Sequence, residues 1–181
     1  MIAQAAALGY TAIAITDRNT LAGIVRAHVE AKKKGIKFIP AARLDLRDGP
    51  SLLAYPTNKY AYARLCALLS KGNLRTEKGQ CELYKKDVYE HAEGMKLIVV
   101  PPDQLDHTFN YDTSFVAALE EYRSILGRQL YLAAARYYQG DDLKKMHRLW
   151  QLSQQYDLPV VQMNDFFFQA EDGIRDLTVT G

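Results

Sequence analysis

Asp17 is the first residue whose type and position indicate chemistry. It follows residues 11–15, an apolar and β-branched run that predicts a short buried parallel strand. Thr16 and Asp17 therefore stand at the carboxyl end of a strand, where loops of α/β folds carry functional groups. Asn19 or Thr20 is then predicted to cap a helix whose apolar face starts at Leu21. Asp17 is thus the leading candidate for a functional side chain.

Other reactive residue types do not converge in the sequence. There is no Gly-x-Ser-x-Gly, Walker A or Gly-x-Gly-x-x-Gly motif. Cys66 and Cys81 lack ligand-like spacing, and we interpret them as one core thiol and one incidental thiol in a reducing compartment. Four histidines are scattered along the chain, and we interpret each as structural: His28, His91, His107 and His147.

One segment combines basic and aromatic residues and is a candidate nucleic-acid contact. Its candidate contact residues fall within about 20 positions: Lys59, Arg64, Lys71, Arg75 and Lys78. Tyr60, Tyr62 and Tyr84 are interleaved with them. The alternative is an ordinary solvated surface, which we favour because carboxylates dilute the patch: Glu77, Glu82, Asp87 and Glu90.

Composition indicates an ordinary globular domain. The 181 residues are 48% hydrophobic and 24% charged, with a net charge of +2 that is too small to indicate nucleic-acid binding by itself. No apolar run approaches the roughly 20 residues needed to span a bilayer. The first residues lack the basic start of a signal peptide, so a cytoplasmic protein without membrane contact is expected.

Short apolar strands alternate with helices along the chain. Strands are predicted over residues 11–15, 37–40, 44–46, 51–55, 96–100, 129–135 and 159–163. Helices are predicted over residues 2–8, 21–34, 60–70, 86–91, 113–126 and 143–156, with Asn58 and Asp141 as caps and Gly35 as a stop. This pattern favours an α/β fold with a mostly parallel sheet, either open or closed into a barrel.

Several motifs together carry a family resemblance. They are residues 8–17, Ala22-Gly23 and residues 35–40, joined by Asp17-Arg18-Asn19 and residues 42–46 and 48–52. This combination resembles the PHP (polymerase and histidinol phosphatase) domain that opens the α subunit of bacterial C-family DNA polymerases, the polymerase III type, and is most similar to the error-prone, translesion branch. The resemblance implies an incomplete PHP-type (β/α)7 barrel of short, mostly parallel strands, truncated before its first strand and metal motif.

The resemblance also implies a metal site whose ligands are mostly lost. PHP domains that hydrolyse phosphoesters hold divalent ions with histidine and carboxylate clusters. Asp17 and Asp165 match aspartate positions of the family, whereas four positions depart from it: Arg18, Arg43, Ser51 and Phe167. We expect the two arginines to pair with Asp17 and Asp165, so that the cluster is a salt-bridged scaffold that binds no metal.

The resemblance ends near Asp165, which sets the predicted domain boundary. Residues 1–165 are predicted to form a partial PHP domain, and residues 166–181 a divergent, non-native tail. Residues 168–176 resemble translated sequencing-adapter read-through; the alternative is a genuine divergent C-terminus. On the first interpretation, residues 169–181 should make few core contacts.

By resemblance, the parent protein is an error-prone DNA polymerase that uses Mg²⁺ held by palm-domain carboxylates. None of that region is present, so this fragment is expected to need no cofactor and not to polymerise alone. Its expected partners are the remainder of the polymerase chain, the DNA primer-template through the parent, and translesion accessory proteins. Two alternatives are a stand-alone metal-dependent PHP phosphoesterase and a non-catalytic interaction module.

Overall fold

The computed structural model describes residues 1–136 and 140–163 and the backbone of residues 177–178. Its helices are α1 (Ile2–Ala7), α2 (Ile24–Lys34), α3 (Lys59–Leu74), α4 (Lys85–His91), α5 (Thr113–Leu126) and α6 (Asp142–Tyr156). Its strands are β1 (Ala12–Arg18), β2 (Lys37–Leu44), β3 (Leu52–Pro56), β4 (Met95–Val99), β5 (Leu130–Ala135), β6 (Val160–Met163) and β7 (Leu177–Thr178).

The seven strands form one sheet in the order β6-β5-β4-β3-β2-β1-β7, which curls into a half-barrel. β1 pairs in parallel with β2, and β4 with β5 and β5 with β6, whereas β3 and β7 run the opposite way. The predicted α/β class with mostly parallel short strands is confirmed. Parallel pairing brings the carboxyl ends of β1 and β2 together, since Arg18 lies opposite Arg43.

Local signals explain several element boundaries. The Asn58 side chain accepts hydrogen bonds from the N–H groups of Tyr60 and Ala61, as predicted for a helix cap. α2 ends at Gly35, which has a φ of 70° that glycine adopts without strain. Three lysines in the last turn of α2 complement the helix dipole.

Three predicted boundaries are wrong. Residues 37–40 and 44–46 are not separate strands, because β2 runs unbroken from Lys37 to Leu44. Proline has no N–H to donate to a neighbouring strand. Pro40 is tolerated in β2 because only β1 pairs with β2 at this position, and the pairing with β3 begins at Ala42. α2 starts at Ile24 rather than residue 21, and α3 continues into the predicted loop of residues 71–79.

The two faces of the sheet have different environments. The outer face packs against the helices and forms most of the core, with Leu52, Leu97 and Leu132 almost fully buried. A smaller cluster joins α1 and α2 to β1 through Ile13 and Ile15. Because side chains alternate along a strand, the neighbouring residues face the concave side, where a third cluster forms from Leu53, Ile98, Ala133 and Met163.

The predicted domain boundary and tail fall largely outside the described residues. Asp165, Phe167 and residues 166–176 are among those not described, so the boundary and the tail's origin stay predictions. The backbone of residues 177–178 pairs antiparallel with Ala14 and Ile15 of β1. Within the described part of the chain, no helix is long and apolar enough to cross a membrane.

Candidate functional site

A cleft of about 850 Å³ lies at the carboxyl ends of β1 and β2. Arg18 and Arg43 line it from the last part of each strand, and Ser51 lines it from the residue before β3. Lys85 and Glu121 close another side and form an ion pair with an N–O distance of 2.5 Å. The fold therefore brings together three of the predicted site positions.

Asp45, immediately after β2, is the centre of the polar network beside this cleft. Its Oδ1 accepts hydrogen bonds from Arg43 Nε at 2.8 Å and Ser51 Oγ at 2.6 Å. Its Oδ2 lies 3.5 Å from Arg18 Nη1. Burial alone would raise the pKa of Asp45, but the hydrogen bonds from Ser51 and Arg43 and the charges of both arginines together hold the pKa below its usual value. Asp45 is therefore an ionised anchor at neutral pH.

Arg43 does not pair with Asp17 as expected, and the expected pairing with Asp165 lies outside the described residues. Arg43 pairs with Asp45, because both side chains lie at the same end of β2. Sequence reasoning missed Asp45 by placing it inside a strand. With β2 ending at Leu44, the rule that selected Asp17, a polar residue at the carboxyl end of a strand, would also have selected Asp45.

Asp17 is buried and faces away from the cleft toward the start of α2. Its Oδ2 accepts a hydrogen bond from the Gly23 N–H at 2.8 Å. A Cβ on Gly23 would lie 2.6 Å from the same oxygen, so a side chain there would displace the Asp17 carboxylate. Asp17 and Arg18 are neighbours in sequence but point to opposite faces of β1, as strand alternation dictates.

Asn19 positions Asp45 rather than capping α2 as predicted. It adopts a φ of 50°, a left-handed conformation that asparagine tolerates better than most residues. Its N–H donates to the carbonyl of Arg43 at 2.8 Å, and its Oδ1 accepts from the Asp45 N–H at 2.9 Å. Its Nδ2 donates to the Asp45 carbonyl at 3.3 Å. α2 instead starts after Gly23, without a side-chain cap.

Comparison with known families identifies the domain. The family model of the PHP domain matches residues 1–138. This chain belongs to the PHP domain family. It is 43% identical over 169 residues to an error-prone DNA polymerase of Caulobacter vibrioides, and 36% identical over 171 residues to that of Rhodopseudomonas palustris. These matches cover 93% and 91% of this chain but 15% of each relative, so the chain spans about 15% of their length.

Solved structures show the same fold at low sequence identity. An amidohydrolase from Chromobacterium violaceum, solved with sulfate and without metal, matches with a TM-score of 0.65 and 14% identity over 97% of this chain and 84% of that one. A protein assigned as a metal-dependent phosphoesterase from Bifidobacterium adolescentis matches with a TM-score of 0.61 and 13% identity over 89% and 79%. The predicted PHP resemblance and its error-prone branch are confirmed.

The described side chains at the carboxyl ends of β1 and β2 do not fit a divalent metal ion. Among the described residues, no three His, Cys, Asp or Glu side chains lie close enough together to hold one. At the cleft, Arg18 and Arg43 place N–H donors and positive charge, which repel a metal cation and offer it no lone pair to bind. Asp45, the carboxylate between them, is already engaged by both arginines. Asp165 and Phe167 lie outside the described residues.

The histidines and cysteines lie apart from this cleft. His28 makes an edge contact with Phe38, with ring centroids 6.2 Å apart, and His147 stacks on Trp150 at the same distance. His91 Nδ1 lies 2.8 Å from the carbonyl of Asp87. Cys66 and Cys81 are free and partly buried, and burial raises the pKa of the Cys81 thiol, which lowers its reactivity.

The predicted nucleic-acid contacts on α3 and just after it are largely paired with carboxylates. Arg64 contacts Glu93 at 2.5 Å, Lys71 contacts Asp87 at 2.8 Å and Glu90 at 2.6 Å, and Arg75 binds Asp87 through two nitrogens. In the described chain, Lys59 and Lys78 have no carboxylate partner. The paired cations support the solvated-surface alternative for the α3–α4 face, and the contact by Lys59 and Lys78 stays a prediction.

Proposed function

We propose that this chain is the PHP-domain portion of an error-prone DNA polymerase and acts there as a structural domain. One observation supports it most: the 43% identity to the Caulobacter vibrioides polymerase extends over 93% of this chain. The parent protein would add deoxynucleotides to a primer during lesion bypass, with Mg²⁺ held by carboxylates of another domain. Its other partners would be the DNA primer-template and translesion accessory proteins, and its place the cytoplasm.

The Asp45 network supports a structural rather than a catalytic role. Asp45, Asn19 and Ser51 join the carboxyl ends of β1 and β2 to the start of β3. The hydrogen bonds from Ser51 and Arg43 and the two guanidinium charges hold the pKa of Asp45 below its usual value, which makes this carboxylate a poor general base at neutral pH. The same contacts make this end of the half-barrel a stiff surface on which a catalytic domain could rest.

A chimeric polymerase tests both parts of the proposal. In the chimera, residues 1–163 of this chain replace the matching segment of the Caulobacter vibrioides polymerase. We expect the chimera to extend a primer with Mg²⁺, and the isolated chain to show no incorporation. Nucleotide incorporation by the isolated chain, or a folded chimera that cannot extend primers, would contradict the proposal.

The stand-alone phosphoesterase is a separate candidate, suggested by the fold of the Bifidobacterium neighbour. It needs metal ligands at positions held here by Arg18, Arg43 and Ser51. Incubation of the chain with p-nitrophenyl phosphate and Zn²⁺ or Mn²⁺ tests it, and we expect no turnover.

The interaction-module alternative is tested by pull-down with purified translesion proteins, where binding independent of the polymerase domains would support it.

A further inference from the structure

A second cleft, of about 690 Å³, lies at the opposite end of the sheet from Asp45. It includes residues at the amino-terminal ends of β2, β4 and β5: Lys37, Lys96 and Tyr131. Because β3 is antiparallel to β2 and β4, its final residues Tyr55 and Pro56 also lie there. We name this cleft the basal groove.

The lining of the basal groove combines aromatic rings with positive charge. Its aromatic side chains are Phe38, Tyr55, Tyr62 and Tyr131, and its charged side chains are Lys37, Lys59 and Lys96. No aspartate or glutamate is among its described lining residues. Its volume lies within the range of small-molecule sites, roughly 300–1,000 Å³. The groove therefore suits a ligand with flat apolar groups and several negative charges.

The three lysines of the basal groove differ from Arg64, Lys71 and Arg75, which pair with carboxylates. All three groove lysines are exposed, and within the described residues none of them pairs with a carboxylate. Lys96 Nζ donates to the hydroxyl of Tyr131 at 2.9 Å and lies 5.1 Å from the ring centroid. The N-terminus of α3, at Asn58 and Lys59, adds the positive end of a helix dipole to the same groove.

We propose that the basal groove binds single-stranded nucleic acid. Unstacked bases would pack on the tyrosine rings while the lysines contact the phosphates, which is how sequence-tolerant single-strand sites work. A duplex would offer only phosphates here, because its base faces are stacked inside the helix. An acidic peptide would match the lysines but not the aromatic lining. The inference depends on these lining residues and not on the polymerase parentage.

Fluorescence anisotropy with a labelled oligothymidylate of about ten nucleotides tests the proposal on the full chain. The groove variant is Lys59→Ala/Lys96→Ala, and the matched control is Lys32→Ala/Lys33→Ala on α2, which removes the same charge elsewhere. We expect about tenfold weaker binding for the groove variant and less than about twofold for the control. The logarithm of the association constant falls with the logarithm of the salt concentration by about 0.7 for each phosphate contact to a single strand. Because the groove variant removes two lysines, the magnitude of this slope should decrease by about 1.4.

A second arm separates stacking from charge. An abasic oligomer of the same length, used as competitor, should bind the chain at least about fivefold more weakly than oligothymidylate does. The Tyr62→Leu variant should likewise bind oligothymidylate at least about fivefold more weakly than the unsubstituted chain does. Equal binding of the abasic oligomer or of polyglutamate would overturn the proposal, as would equal losses in the groove and control variants. Absence of any oligothymidylate binding would also overturn it. Far-UV circular dichroism verifies that each variant is folded.

Discussion

At the residue scale, Asp45 is the side chain on which the cleft depends. Arg43 is its shortest-range cationic partner, and the Arg43 side chain is only 17% exposed. Removing the carboxylate would leave that guanidinium largely buried without its partner, which costs more than the pair itself contributes. A surface ion pair such as Glu30 with Lys33, at 3.7 Å, carries no such penalty.

We therefore predict that Asp45→Asn lowers the free energy of unfolding by about 2 kcal/mol. The substitution keeps the side-chain shape and removes the charge. Urea denaturation at neutral pH measures the change, with Glu30→Gln as a control expected to change stability by less than about 1 kcal/mol. Equal effects of the two substitutions would show that Asp45 is no more than a surface charge.

Gly23 gives a second residue-scale prediction. Its φ of −75° is open to any residue, so only the contact with Asp17 opposes a side chain there. We expect Gly23→Ala to destabilise the protein by about 1–3 kcal/mol, because the methyl group displaces the Asp17 carboxylate. Gly140→Ala, where no atom lies within 4 Å of the added Cβ, serves as the control. Thermal unfolding of both variants measures the change in stability. A Gly23→Ala protein as stable as the unsubstituted chain would contradict the Asp17 contact.

At the scale of elements, α3 and α4 are joined by Asp87. This carboxylate is 3% exposed and binds Lys71 of α3 and Arg75, the residue that follows α3. The Arg75 hydrogen bonds contribute most to holding the pKa of Asp87 well below its usual value, against the opposing effect of burial. Because the pKa is lowered in the folded state, the stabilisation is present above the unfolded pKa near 4 and is lost as the pH falls through the folded value.

The predicted effect of Asp87→Asn follows from the lowered pKa of Asp87 in the folded state. We expect a loss of about 2–3 kcal/mol in the free energy of unfolding at neutral pH. The difference between the two proteins should shrink steadily as the pH is lowered below about 4. Urea denaturation across this pH range measures it, with Glu93→Gln as an exposed control. A difference that stays constant down to low pH would refute the ionised contact.

Local signals predicted elements better than contacts between elements. The Asn58 cap, the Gly35 stop and the bounds of α5 required only neighbouring residues, so the sequence was sufficient for them. Asn19 carries the same capping signal as Asn58, yet it binds Asp45, a residue 26 positions away. Such a partner depends on the register of β1 with β2, which no local pattern reveals.

At the scale of the whole molecule, the half-barrel has a cleft at each end of its sheet, and the two clefts differ in how their positive charges are paired. At one end, Arg18 and Arg43 both pair with Asp45, whereas at the other, Lys37, Lys59 and Lys96 lack carboxylate partners within the described residues. The family resemblance predicted the first end by position, because Arg18, Arg43 and Ser51 converge there. Nothing in residue spacing predicted the basal groove, since its lysines come from three separate elements.

The proposed structural role depends on arginine–aspartate pairing in place of metal binding at the carboxyl ends of β1 and β2. The most direct measurement is the metal content of the purified chain by mass spectrometry, after incubation with Zn²⁺ or Mn²⁺ and desalting. We predict metal far below one ion per chain, because Arg18 and Arg43 oppose a cation and Asp45 is already engaged. Near-stoichiometric zinc or manganese would show that this end of the half-barrel still binds metal and would contradict the proposed structural role.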